Sequence, residues 1–163
     1  KNTYFSAFEN HYFTGDGALK NENGMFRITG RVDDVIIVSG HNLGTAEIEN
    51  AIDEHEIVCE TAVVGFPHPI KGNAIHAFVS CYHDNYNDEL LQKDIIALVA
   101  KLIGPIAKPD HITFVNGLPK TRSGKIMRRI LRKIVSGEAD QLGDISTLLN
   151  PDVVEEIINK VNN

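Results

Sequence analysis

Residues 75–82 alternate strictly: Ile75, Ala77, Val79 and Cys81 fall on one side of an extended segment, and His76, Phe78, Ser80 and Tyr82 on the other. A period of two specifies a strand, and a strand needs partners, so the chain must contain a sheet. Residues 62–66 supply a second strand pattern, ended by Pro67 and Pro69. Past residue 88 the period changes. Leu91, Ile95, Leu98 and Leu102 recur at helical spacing, and Gly104-Pro105 stops the run near residue 103.

The rest of the chain repeats this interleaving. Asn23-Gly24 is a turn dipeptide with a strand at 25–29 beyond it. The apolar run 35–38 reads as a short buried strand, and Gly40 to Gly44 as a loop. Thr45 reads as a helix N-cap with Glu47 and Glu49 in the first turn, followed by Ile48, Ala51, Ile52 and His55 at helical spacing. Residues 111–115 read as a strand. Residues 124–135 read as a basic amphipathic helix, with Met127, Ile130, Leu131 and Ile134 inward and Arg128, Arg129, Arg132 and Lys133 outward. Asn150-Pro151 opens a last helix carrying Val154, Ile157, Ile158 and Val161. Short strands among helices imply an α+β fold: a small antiparallel or mixed sheet flanked by helices.

The net charge is −6, but seven of the sixteen basic residues lie between Lys120 and Lys133, a stretch without an acidic residue. An acidic body with one basic segment implies a local anion site and argues against a general nucleic-acid binder. A standalone module gripping an anion or nucleic acid through residues 120–133 is the alternative of another class. No apolar run approaches the roughly 18 residues of a membrane span. Cys59 and Cys81 fit no zinc or redox spacing and read as reduced packing residues, as in a cytoplasmic protein. The histidines do not cluster as metal ligands. The start, Lys1, reads as a cut inside a longer protein.

Five segments can carry chemistry. Asp16 follows two aromatics in a glycine turn. It reads as a turn aspartate bonding its own backbone, although a carboxylate so placed also accepts a ribose diol. Arg31 beside Asp33 and Asp34 can hold a ligand oxygen or form a surface ion pair. Ser39-Gly40 precedes a helix and lets a ligand pass close to the backbone, or is simply a turn. Lys120-Thr121-Arg122-Ser123-Gly124-Lys125 resembles a phosphate loop but fails its test, because Pro119 stands where glycine is required and Ile126 where Ser or Thr is. What remains is a glycine-containing loop presenting Lys125, or a basic solvated loop. Residues 125–133 also match a crude basic patch, but their apolar stripe marks a packed helix.

Taken in order, Tyr12-Phe13-Thr14-Gly15-Asp16, Ile28-Thr29-Gly30-Arg31-Val32-Asp33-Asp34, Val38-Ser39-Gly40-His41 with Leu43-Gly44-Thr45-Ala46-Glu47-Ile48-Glu49, and Leu118-Pro119-Lys120-Thr121-Arg122-Ser123-Gly124-Lys125-Ile126-Met127-Arg128-Arg129 resemble the late motifs of adenylate-forming enzymes. Within that superfamily the spelling is most similar to the AMP-forming acetyl-CoA synthetases, and Gly143-Asp144 with Ser146-Thr147-Leu148 and Pro151 resembles their tail.

The resemblance implies acetyl-CoA formation from acetate, Mg-ATP and coenzyme A through acetyl-AMP, with no tightly bound cofactor. It implies that residues 1–33 are the end of a large N-terminal domain, contributing a short hairpin, and that 34–163 are a C-terminal lid inactive without it. In that frame Asp16 binds the ribose hydroxyls, Arg31 contacts ribose or phosphate, and Asp33 is the hinge. Ser39 and Gly40 line the coenzyme A passage. Lys125 bridges carboxylate and phosphate during adenylation, and is the site a protein acetyltransferase and a deacetylase act on. Asn42 and Ala100 depart from the pattern, which has arginines there. A propionyl-CoA synthetase, or another acyl-CoA ligase, is the alternative within the superfamily.

Overall fold

The computed structural model describes residues 5, 6, 8 and 10–162, so the first residue lies outside the described residues. Two sheets form. β1 (Asp16–Lys20) and β2 (Phe26–Arg31) make an antiparallel hairpin that pairs Asp16 with Arg31. The second sheet is built around β6 (Gly72–Cys81). β5 (Val58–His68) runs antiparallel along one edge of β6. On the other side, β3 (Val35–Val38) touches its start through Val38 and Gly72, and β7 (His111–Phe114) pairs with its middle in parallel. Parallel pairing requires a crossover, and α2 (Asp88–Leu102) provides it. β4 (His41–Gly44) closes the order as the partner of β3.

Helices cover both faces. α1 (Thr45–Asp53) and α2 pack Ile48, Ile52, Leu91, Ile95 and Val99 against Val63, Ile75, Ala77 and Val79. α3 (Arg128–Val135) and α4 (Asp152–Asn162) pack Ile130, Leu131, Ile134, Val154 and Ile157 against Ala62, Val64 and Phe78. This is the expected α+β arrangement with a mixed sheet, and a hairpin does precede it. Both faces are buried, which is why 62–64 is a continuous apolar run.

Several local expectations are corrected. β5 continues through Pro67, which pairs with Asn73, because β5 is an edge strand whose outer side needs no donor there. Residues 41–44 are a strand. Ser39 and Gly40 both have positive φ, 49° and 83°, and form the two-residue turn that joins β3 to β4 in register. β3 is half-buried, with Ile36 and Val38 inside and Val35 and Ile37 outside. Thr45 is the first residue of α1; Gly44 caps it without a side-chain bond. The inner stripe of α2 is Leu91, Ile95 and Val99, and Leu102 is exposed. α3 begins at Arg128, short of the expected start at 124. The Asn150 amide does not cap α4: its Oδ1 accepts the Lys120 N–H at 3.1 Å and its Nδ2 donates to the Leu118 carbonyl at 2.9 Å. Both cysteines are free, but Cys59 is exposed and Cys81 only partly buried.

His76 stands on the polar-patterned side of β6 yet is buried, stacked on Phe78 at 4.5 Å and on His111 at 5.6 Å, with Nε2 2.8 Å from the Thr113 hydroxyl. Burial, helped by the His111 charge, lowers its pKa from 6.5 to about 4. Below pH 6.5 the unfolded chain takes up a proton that the folded chain refuses, so stability falls as pH drops from 6.5 to about 4. This histidine accounts for about 3 kcal/mol across that window. Urea melts of this chain at about pH 7 and about pH 4.5 are expected to show a clearly smaller pH dependence for His76→Gln than for the parent.

Candidate functional site

The motif residues of the hairpin converge. The Arg31 guanidinium lies over Gly15, where a Cβ would sit only 2.8 Å from Nη2, so any side chain at 15 would displace it. From there Nη1 donates to the Thr14 carbonyl at 3.0 Å and stands 3.8 Å from Asp16 Oδ1, while Nε donates to Asp33 Oδ1 at 2.9 Å. The hydrogen bond from Arg31 holds the Asp33 carboxyl below the usual carboxylate range, with a smaller push from the Lys125 charge. The same bond raises Arg31. All three side chains are at least a third exposed, with 48% for Arg31, 39% for Asp16 and 66% for Asp33. Such groups are held in place by one another and remain open to a ligand.

Arg31 also lines a cavity of about 230 Å³ with Gly17, Thr29, Gly30, Asn42 and Thr45, between the hairpin and the start of α1. Asp33 and Asp34 form one 3-10 turn, Val32–Asp34, joining the hairpin to β3.

Lys125 is exposed on a loop fixed at its base. Thr121 N–H donates to the Lys125 carbonyl at 2.9 Å, and Lys125 N–H donates to Thr121 Oγ1 at 3.1 Å. Lys120 and Ile126 bridge beneath them, and Thr121 bridges to Leu148. The result is a small closed ring of backbone with the lysine side chain at its rim. The lysine charge is felt weakly at Asp33.

Ser39 and Gly40 lie elsewhere. Ser39 lines a second groove with Lys71, Pro105, Ile106, Lys108 and Asp110, and Lys71 pairs with Asp110. A Cβ on Gly40 would meet nothing within 4 Å, so its turn faces open space. The structure therefore brings together Asp16, Arg31 and Asp33, sets Lys125 within electrostatic reach of Asp33, and leaves Ser39 on a separate groove with Gly40 open beside it. Ala100 lies on the late part of α2, partly buried.

The basic segment is only in part the outward cationic face expected: Arg129 and Arg132 are exposed. Arg128, expected outside, forks onto Glu49, with Nε to Oε1 at 3.0 Å and Nη2 to Oε2 at 2.6 Å. Arg132 pairs with Asp34 at 3.2 Å, Lys120 with Glu60 at 2.6 Å, and Lys133 bonds the Gln141 carbonyl. Three of the seven charges are thus paired with carboxylates of the same chain and a fourth is tied to a carbonyl, which breaks up the continuous surface a nucleic-acid site needs. These partners lie up to 98 residues apart, and nothing in the local pattern announces them.

A family model for the AMP-binding enzyme C-terminal domain matches residues 47–125. The acetyl-coenzyme A synthetase of Leptospira biflexa serovar Patoc is 60% identical over 156 residues, covering 96% of this chain and 24% of that protein. Acetyl-coenzyme A synthetase 2 of Pseudomonas aeruginosa is 56% identical over 161 residues, covering 98% and 25%. The anthranilate CoA ligase AuaEII, solved with anthranoyl-AMP, superposes with a TM-score of 0.72 at 30% identity, covering 79% of this chain and 25% of that one. The chain spans about a quarter of the length of the curated relatives it matches. With the fold, the motif order and these matches in agreement, the chain belongs to the AMP-binding enzyme C-terminal domain family of adenylate-forming enzymes.

Proposed function

We propose that this chain is the C-terminal part of an AMP-forming acetate–CoA ligase that acts in the cytoplasm. The observation that carries the reading is the placement of Lys125: an exposed ammonium on a pinned loop, near enough to be felt by Asp33, which Arg31 holds beside Asp16. In the first half-reaction the acetate oxygen attacks the α-phosphorus of Mg-ATP, and pyrophosphate leaves. Two anions must approach, so a fixed cation between them lowers the barrier. Asp16 accepts the ribose hydroxyls, and Arg31, lining the cavity with Asn42, holds ribose or phosphate oxygens. Asn42 brings no charge, which leaves Arg31 and Lys125 as the cations assigned to this step.

In the second half-reaction the coenzyme A thiolate attacks the acyl carbon, and AMP leaves. Acetyl-AMP has already lost the repelling charge on its acyl group, so this step does not need Lys125. A lysine required once belongs on a part that moves. The hinge is Asp33, in the 3-10 turn between the hairpin, read as the end of the N-terminal domain (residues 1–33), and the lid (residues 34–163). Acetylation of Lys125 by a protein acetyltransferase removes the charge and silences the first step, and a deacetylase restores it. The acid pocket lies outside this chain. Acetate is preferred to propionate because relatives 60% and 56% identical are acetyl-coenzyme A synthetases.

The Ser39–Gly40 turn is assigned to the passage of the coenzyme A thiol. Gly40→Leu puts a side chain into the open space in front of the turn, at a φ of 83°. In the full-length protein ATP–pyrophosphate exchange is expected to persist within about three-fold, while coenzyme A-dependent turnover falls roughly 10²-fold. Equal loss in both steps removes Gly40 from this role.

A further inference from the structure

We infer that Arg128, clasped by Glu49, is the positioning residue that sets Lys125 for adenylation; this rests on the role proposed for Lys125. Both ends of the loop bearing Lys125 are tied by backbone bonds, and each carries a charged side-chain anchor, Lys120 on Glu60 and Arg128 on Glu49. At Lys120 the backbone itself is fixed: its N–H donates to Asn150 Oδ1 at 3.1 Å and its carbonyl accepts the Leu149 N–H at 2.8 Å. At the other end the Met127 N–H donates to the Pro119 carbonyl at 2.8 Å, and α3 begins behind it at Arg128 with no side-chain cap. There the two-bond fork onto Glu49 supplies the side-chain anchor. Lys125 is three residues away, a span of at most about 10 Å, so the fork sets the direction in which the chain leaves the loop for α3.

Glu49 is a rigid acceptor. Its side chain is 9% exposed and sits on α1 between the fully buried Ile48 and Ile52. Its Oε1 also accepts the Val63 N–H at 2.8 Å, an amide on the outer edge of β5. One carboxylate thereby joins the edge of the sheet, the first helix and the base of the Lys125 loop. A bidentate guanidinium fixes direction as well as distance, which a lysine at 128 would not.

The test compares Glu49→Gln/Arg128→Met, Arg128→Lys and Lys125→Ala in the full-length protein. The double variant removes the fork but leaves no unpaired charge, and the amide oxygen introduced by Glu49→Gln still accepts the Val63 N–H, so the fold is retained. The expected result is a fall of about ten- to hundred-fold in kcat for ATP–pyrophosphate exchange. KM for ATP and acyl transfer from supplied acetyl-AMP stay within about three-fold. Arg128→Lys, which keeps the cation and loses the fork, falls between. Exchange unchanged in both Arg128 variants overturns the inference, and so does a parallel fall of both half-reactions, which would mark the pair as only structural. If Lys125→Ala collapses exchange while the Arg128 variants do not, the proposed function stands and this inference alone is lost. If Lys125→Ala spares exchange, both are lost.

Discussion

Lys125→Ala in the full-length protein is expected to lower ATP–pyrophosphate exchange roughly 10²–10³-fold, while transfer of the acetyl group from supplied acetyl-AMP to coenzyme A changes by less than about three-fold. The magnitude is that of losing one preorganised donor at a point where charge builds up, about 3–4 kcal/mol. The asymmetry is the more telling part. Exchange requires two anions to meet; acyl transfer begins after that repulsion has gone. Because the lysine is exposed and only its backbone is tied into the Thr121 ring, truncation leaves the hydrogen bonds of the loop intact. Lys125→Gln, neutral like the acetylated side chain, is expected to match it. Exchange kinetics with acetate, ATP and labelled pyrophosphate read the first step, and thioester formation from acetyl-AMP reads the second. Equal loss in both would remove Lys125 from the meeting point.

Glu49→Ala carries the largest expected effect on stability, a loss of about 3 kcal/mol in urea unfolding of this chain. Truncation strands the Arg128 guanidinium, whose side chain is only 23% exposed, and the Val63 amide at once. Breaking a buried pair from one side typically costs about 3–5 kcal/mol, and the remaining contact of Arg128 with water places this case at the lower end. Burial works against the Arg128 charge, and the Glu49 bond and charge more than restore it. Glu49→Gln is expected to lose less, since it keeps an acceptor for Val63, and Glu49→Gln/Arg128→Met to recover most of the difference. A Glu49→Ala chain as stable as the parent would mean that the clasp contributes nothing net to folding.

Much of the site can be read along the chain because its motifs are local. Asp16, Arg31 and Asp33 follow one another closely in sequence, and the hairpin register that pairs Asp16 with Arg31 brings them together. Lys125 is marked by its glycine-containing loop. The boundaries read less well. The loop expected at 41–44 is a strand because a two-residue turn at Ser39–Gly40 folds it back on β3, and hairpin pairing there owes more to backbone torsion than to hydrophobic pattern. Pro67 reads as a stop, yet an edge strand tolerates it. The start of α3 reads too early because Lys125, Ile126 and Met127 continue its basic and apolar pattern but precede the helix, on the closed loop and its exit.

The sequence by itself determined the α+β class, most of the helices and strands, and the candidate site residues, since periodicity and motif spacing act over a few residues. Only the tertiary structure decided that both faces of the sheet are covered, that His76 is buried, and that Arg128 points inward. Those outcomes depend on partners such as Glu49, 79 residues from Arg128 along the chain. Burial and charge pairing are properties of surfaces brought together by folding, and no local pattern encodes which surfaces will meet.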